Sequence, residues 1–264
     1  MAYVMGVDNR REAGPHEADS AAVRQTGMLR IQGEEFVSAV LTGANCDLVL
    51  SAGHAAVYWE DIERKAWRKG AVRGQGQFRF KLAVDSAADW QRVQVLATGY
   101  AEPGQVGQDE HDWAIFRAEA PLMQDCEVLE LLPETGSCRA GLLMVGFHFD
   151  RPTTRLLDPS CGVKQRPGKG VVVHDCDSKD GSSGAPLFCR DNGKLRLLGI
   201  NISGLTRRDY YDAGEYGKAG LAFHERRHKN FAITVHGQFR RALMTELRAS
   251  LQRRQLRLGT GVAE

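Results

Sequence analysis

Short runs of apolar or alternating residues recur along most of this chain, each cut off by turn residues, and that rhythm restricts it to an antiparallel β architecture. Phe36 to Leu41, Leu48 to Ser51, Phe78 to Leu82, Trp113 to Phe116, Leu142 to Phe147 and Leu195 to Ile202 have strand length and are rich in branched or aromatic residues. Shorter runs of the same kind lie at Met28 to Ile31, Val93 to Leu96, Gly170 to Val173, Leu187 to Cys189 and Ala232 to Val235. Turn-rich segments separate them, as sandwiches and barrels require. Between the two groups of runs, Arg117 to Gly136 reads as an exposed linker.

The period changes at the end. Phe239, Leu243, Leu247 and Leu251 fall four apart, while Arg240, Arg241, Arg248, Arg253 and Arg254 stand mostly off that line, so an amphipathic helix is expected over 238–256. Bulk composition sets aside several functions. With 35 basic against 33 acidic side chains, the net charge of +2 supplies no general drive toward nucleic acid or membranes. No apolar stretch approaches the roughly 20 residues of a membrane span. Met1 to Asp8 shows no basic start followed by an apolar core, so no signal peptide is expected in the chain.

One turn carries chemistry. Gly181-Ser182-Ser183-Gly184-Ala185-Pro186-Leu187 holds a serine between glycines, an arrangement that can present a hydroxyl as a nucleophile. Attack on a carbonyl then needs backbone N–H donors at the oxygen that becomes negative, and losing one costs roughly 3 to 4 kcal/mol of barrier. Glycine at 181 can take backbone angles closed to other residues, which lets the Gly181 and Ser183 amides converge. A plain surface turn has the same composition, so Ser183 needs partners.

Two segments supply them. His54 leaves the run Leu48 to Ser51 on small residues, which leaves its ring room to reach a neighbour, and Asp112 opens the apolar run Trp113 to Phe116, where a carboxylate can sit buried beside an imidazole. Asp109-Glu110-His111-Asp112 is set aside as a metal cluster, because consecutive strand residues point to opposite faces. No CxxC pair is present, so no metal and no cofactor are expected.

In the order His54, Asp112, Ser183 these segments resemble the chymotrypsin-like serine peptidases. Leu50-Ser51-Ala52-Gly53-His54 matches the family's (T/S)AxH element, Asp112-Trp113-Ala114-Ile115 its DxA(I/L) element, and the Gly181 to Pro186 turn its GxSGxP element. Gly6-Val7-Asp8-Asn9-Arg10, His174-Asp175-Cys176-Asp177-Ser178, Leu198-Gly199-Ile200 and Asn230-Phe231-Ala232-Ile233 look like the bacterial glutamyl-endopeptidase-like branch. The resemblance implies an all-β fold of two six-stranded antiparallel barrels with the site in the cleft between them, and a C-terminal helix packed on the second barrel. The expected divisions are an N-terminal extension at 1–26, a first barrel at 27–120 with His54 and Asp112, a second at 121–237 with Ser183, and the helix at 238–256. The implied activity is that of a serine endopeptidase acting on protein or peptide substrates as a monomer. The alternative is a catalytically inactive binding module on the same fold.

The resemblance also assigns further residues. His54, Asp112 and Ser183 become the catalytic triad, with the Gly181 and Ser183 amides as the oxyanion hole. Asp177, followed by Ser178, falls at the base of the P1 pocket, and Asn201, Ile202, Ser203 and Gly204 fall on the substrate-facing strand. An acid at 177 points to Arg or Lys at P1, yet the glutamyl-endopeptidase-like branch carries Asp-Thr there while cleaving after Glu, and its characteristic histidine is replaced here by Asn201. Basic, acidic and broad P1 preference all stay open at this point. Trypsin-like zymogens pair a freed amine with an aspartate just before the nucleophile. Ser182 stands there, so activation by such cleavage is not expected.

Six cysteines suggest disulfides and an oxidising compartment, secreted or periplasmic. Cys161 and Cys176 flank an apparent hairpin leading to the nucleophile turn and are the expected pair. Cys189 resembles a family cysteine that bridges to the first strand of the second barrel, which implies Cys138 as its partner. Cys46 and Cys126 are left unassigned.

Overall fold

Alternation along the strands sorts them into two sheets. The computed structural model describes residues 4–31, 36–57, 78–82, 90–100, 109–202 and 229–259. A short first strand, β1 (Arg11–Glu12), is followed by β2 (Thr26–Ile31), β3 (Phe36–Thr42), β4 (Leu48–Ser51), β5 (Phe78–Lys81), β6 (Gln91–Thr98) and β7 (Ala114–Ala118). These last six close into a barrel in the order β2-β3-β4-β7-β6-β5. On β5, Phe78 and Phe80 are buried while Arg79 between them faces out, the period-two pattern of a sheet with one wet face. Leu29, Leu41, Val49, Phe78, Phe80 and Phe116 fill the interior.

The second sheet contains β8 (Leu142–His148), β9 (Arg151–Cys161), β10 (Val163–Gly168), β11 (Val171–His174), β12 (Pro186–Asp191), β13 (Lys194–Asn201) and β14 (Asn230–Thr234). With β1 on its edge it has eight strands in the order β1-β9-β8-β12-β13-β14-β11-β10. β9 and β10 stand at opposite ends of that order as neighbours of β8 and β11, and Gly162 alone separates them in the chain. They are two segments of one bent strand, glycine being suited to such a corner. Counted so, and without the edge strand β1, the second unit has the six strands that the resemblance implies. Leu142, Met144, Val172, Leu187, Leu198 and Ala232 pack within it. A third cluster, with Val40, Leu50 and Trp113 from the first sheet and Val145, Phe188 and Ile200 from the second, joins the two halves.

The segment expected as an exposed linker is instead tied to both halves. Cys126 forms a disulfide with Cys46 in the β3–β4 loop, resolving the two cysteines left unassigned. The Gln25 side chain brackets Glu127, donating to its carbonyl at 2.9 Å and accepting from its N–H at 2.6 Å. Further on, Leu132 N–H donates to Leu197 O at 2.9 Å, and Leu197 N–H donates to Glu130 O at 2.7 Å. The two expected disulfides, Cys161–Cys176 and Cys138–Cys189, are both present.

The C-terminal helix, Gly237–Gly259, reaches the first half as well as the second, on which it was expected to pack. Phe239 stacks on Trp113 of the first half at 5.0 Å, and Arg240 donates to Leu132 O at 3.0 Å. Ser250 is buried, donating to Asp47 Oδ1 at 2.6 Å and accepting from Asn45 N–H at 2.9 Å, and Arg253 Nε donates to Asp47 Oδ2 at 2.6 Å. Leu251, expected on the buried stripe, is 48% exposed. Spacing of four drifts by about 40° per step on an α-helix, so after three steps position 250, not 251, returns to the face of Phe239.

Removing the Cys46–Cys126 bridge, which spans 80 residues of sequence, is expected to lower stability by roughly 2 to 5 kcal/mol. Urea unfolding of the Cys46→Ala/Cys126→Ala protein measures it, and an unchanged midpoint would show the bridge to be idle.

Candidate active site

His54 and Asp112 are brought together by strand pairing. His54 lies in the 3-10 turn Gly53–Ala55 that follows β4, and Asp112 lies just before β7; β4 and β7 are neighbours, with Ser51 opposite Ala114. His54 Nδ1 is 2.8 Å from Asp112 Oδ2 and 3.1 Å from Oδ1, and the His54 main-chain N–H donates to Oδ1 at 2.7 Å. A carboxylate only accepts, so the neutral imidazole carries its proton on Nδ1 and leaves Nε2 with a lone pair. Asp112 is buried and His54 keeps 17% side-chain exposure, enough to present Nε2.

Ser183 sits on the turn between β11 and β12. Gly184 has φ +80°, and a methyl group there would overlap Ser38 O and Ser51 Oγ and come within 3.1 Å of Ala52 N. The residue after Ser183 therefore lies against the segment that leads into His54. Ser183 is half-buried. Among the described residues no hydrogen bond links its hydroxyl to His54.

The polar groups of this turn alternate in their partners. Asp180 O accepts from Phe149 N–H at 2.7 Å, and Ser182 N–H donates to Lys179 O at 3.0 Å. Gly181 O accepts from Ser38 N–H at 2.8 Å and lies 3.0 Å from Ser38 Oγ, while Ser182 O accepts from Ala185 N–H at 2.9 Å. Gly184 N–H donates to Asn201 O at 2.6 Å. Two groups stand out: among the described residues the N–H groups of Gly181 and Ser183 donate to nothing. Buried backbone donors are nearly always paired, so two unpartnered N–H groups on one turn stand out as free to meet an acceptor.

Several residues that frame the turn were not singled out from the sequence. Ser38, fully buried on β3, couples the first barrel to Gly181 and also accepts from Phe147 N–H at 2.9 Å. The only signal was a hydroxyl inside an otherwise apolar run. Phe36 and Phe149 meet edge-on at 5.1 Å beside Gly181, whose φ of +95° suits glycine.

The pocket residues take specific places. Asp177 is fully buried; its carboxylate accepts from Met5 N–H at 2.6 Å and Asn9 N–H at 2.7 Å, and its own N–H donates to Asp158 Oδ2 at 2.6 Å. Burial pushes its carboxyl up to about 6 against the downward pull of those two amides. Next to Asn9, Arg10 anchors the N-terminal segment through Asp8 at 2.9 Å and Asp150 at 2.7 Å. Ser178 is buried, with its hydroxyl 3.4 Å from Cys176 O. Asn201 is fully buried with its side chain turned to Ser182, and Ile202 is buried. Ser203 and Gly204 lie outside the described residues. Asp109–His111 forms a 3-10 turn, not the strand assumed above, and Glu110 there pairs with Lys169 at 2.6 Å.

Among solved structures, a Glu endopeptidase in complex with MPD superposes at TM-score 0.66 with 12% identity, covering 92% of this chain and 99% of its own. Protease Anisep from Arthrobacter nicotinovorans gives 0.56 with 13% identity, over 85% of this chain and 93% of its own. A thermostable serine protease, AL20, from an extremophilic microorganism gives 0.53 with 17% identity, over 81% and 93%. No protein-family model matches the sequence, and no curated protein matches it. At these identities the likeness is one of architecture: the chain has the two-barrel chymotrypsin-like fold.

Two buried histidines generate a pH prediction. Burial holds His174 down to about 4, and burial together with Arg10 holds His148 down to about 3. Both values lie below that of an unfolded histidine, so the unfolded chain takes up protons first as pH falls. Their stabilising effect is complete above about pH 6.5 and disappears as pH drops toward 4 and then 3, at up to about 1.4 kcal/mol per pH unit for each. Denaturant unfolding between pH 7 and 4 should show that slope, and a flat profile would contradict it. Gly184→Ala should lose at least about 2 kcal/mol, since the added methyl has no room and the backbone is left-handed.

Proposed function

We propose that this protein is a serine endopeptidase in which Ser183 is the nucleophile, His54 the general base and Asp112 the residue that orients His54. The observation that carries this reading is the pair of unpartnered N–H groups at Gly181 and Ser183, beside a half-buried hydroxyl on a turn whose Gly184 packs against the Ser51–Ala52 segment leading into His54. Ser183 Oγ attacks the substrate carbonyl carbon and gives its proton to His54 Nε2. The negative oxygen takes the Gly181 and Ser183 N–H groups. Collapse of the tetrahedral species breaks the C–N bond, His54 returns the proton to the departing amine, and water repeats the sequence to free the acid.

The engagement of Asp177 supports a structural part for that acid. Its carboxylate is taken up by two amides of the N-terminal segment, so it holds that segment against the second sheet and is not open to a substrate guanidinium or ammonium. Ser182, in the position of the zymogen aspartate, is hydrogen-bonded by Asn201 instead. This supports an enzyme whose nucleophile turn needs no freed N-terminal amine. Three disulfides fit work in an oxidising compartment.

Ser183→Ala should reduce peptide-bond hydrolysis at least about 1000-fold with the unfolding midpoint unchanged. Wild-type turnover in that variant would remove the assignment, and an inert wild-type protein would favour the binding-module alternative. On fluorogenic peptides varied at P1, Arg and Lys should exceed Leu by less than about tenfold, because Asp177, the acid assigned to that pocket, is already engaged by Met5 and Asn9. A preference of a hundredfold or more for basic P1 would restore Asp177 as the specificity residue.

A further inference from the structure

We infer that Asn201 and His174 are positioning residues that aim the Ser183 N–H, holding the nucleophile turn through a neutral hydrogen-bond relay. This inference rests on the peptidase reading above. Asn201 ends β13 and grips the turn from two sides. Its main-chain N–H donates to Ala185 O at 2.8 Å, and its carbonyl accepts Gly184 N–H at 2.6 Å. Its side-chain Nδ2 donates toward Ser182 O and Ser182 Oγ, each at 3.1 Å. Oδ1 lies 3.1 Å from His174 Nε2.

The donor sense of the relay is determined by its ends. Cys176 N–H donates to His174 Nδ1 at 3.2 Å, which makes Nδ1 the acceptor nitrogen and places the ring proton on Nε2. Nε2–H then donates to Asn201 Oδ1, which orients the amide with its NH2 toward the two oxygens of Ser182. The opposite amide orientation would set oxygen against the Ser182 carbonyl at one end and N–H against the His174 N–H at the other. His174, Asn201 and Ser182 are all at most 1% exposed, so water has little access to replace any of these bonds.

The consequence for the site follows from the planarity of the peptide unit. In a trans peptide the carbonyl and the N–H point in opposite directions. The bonds that fix the Ser182 carbonyl therefore fix the direction of the Ser183 N–H, one of the two orphan donors. Asn201 supplies one of those bonds and Ala185 N–H the other. Where a carboxylate before the nucleophile would need a cation, this turn is held by a serine, an amide and a neutral ring.

The test compares Asn201→Leu and the isosteric Asn201→Asp, which keeps the acceptor for His174 but lacks the donors to Ser182, with wild-type protein. Three quantities are measured: kcat and KM on a fluorogenic peptide, the affinity of a peptide boronate that forms a tetrahedral adduct with Ser183, and the affinity of the matching reduced-amide peptide, which has no carbonyl. Loss of donor alignment should lower kcat and boronate affinity together by about 10 to 100-fold, with KM and reduced-amide affinity within about twofold. His174→Leu should shift the same two quantities in the same direction by a smaller factor. If the Leu variant fails to fold, the isosteric Asp variant decides in the same way. Wild-type kcat in the Asn201 variants, or a loss falling equally on the reduced-amide ligand, overturns the inference while peptidase activity stands. A wild-type protein inert toward both the peptide and the boronate removes the peptidase reading and this one with it.

Discussion

The turn from Lys179 to Ala185 cannot satisfy its own backbone, and the way the two sheets do so is what the site depends on. Ser38 of the first barrel takes Gly181 O, the β8–β9 hairpin takes Asp180 O through Phe149, and Asn201 of β13 takes Ser182 O and Gly184 N–H. Each of these bonds is short-range and modest, worth about 1 kcal/mol net. Together they over-determine the turn, so that the Gly181 and Ser183 N–H groups are held without partners. An orphan donor costs stability in the absence of an anion, and in the proposed mechanism that cost is the form preorganisation takes.

The remaining long-range ties keep the two sheets from separating around that turn. The Cys46–Cys126 bridge pins the connecting segment to the first barrel, and the C-terminal helix runs from Trp113 and Leu132 to Asp47, touching both halves. On the other side the N-terminal segment is clasped by Asp177 and Asp150. Asp112 lies immediately before Trp113, so the helix that stacks on Trp113 also steadies the carboxylate that faces His54. Clamping of this kind matters to the proposed mechanism, in which the Ser183 turn and His54, on separate loops, must hold their geometry to within a fraction of an ångström.

Much of this was legible in the sequence because the relevant signals are local. Alternation at Phe78-Arg79-Phe80 and the apolar runs at Leu48 to Ser51 and Trp113 to Phe116 mark strands directly, and the three segments around His54, Asp112 and Ser183 carry their own turn chemistry. What escaped depends on distant parts of the chain meeting. Cys46 and Cys126 lie 80 residues apart with no local cue to their pairing. The sequence leaves the part played by Asp177 open, and only the fold brings Met5 and Asn9 onto its carboxylate. Ser38 and Asn201 are single polar residues in apolar strands, and strands contain such residues for many reasons. Leu251 was misplaced by a rigid spacing of four, which the true helical period carries off the buried face.

The central claim is that His54 and Asp112 activate Ser183. The measurement that bears on it most directly is intact-mass analysis, with peptide mapping, after exposure to a fluorophosphonate. Wild-type protein should gain a single adduct on Ser183, and His54→Ala should react far more slowly under the same conditions. A wild-type protein that gains no adduct, or a His54→Ala protein that gains it just as fast, would contradict the claim.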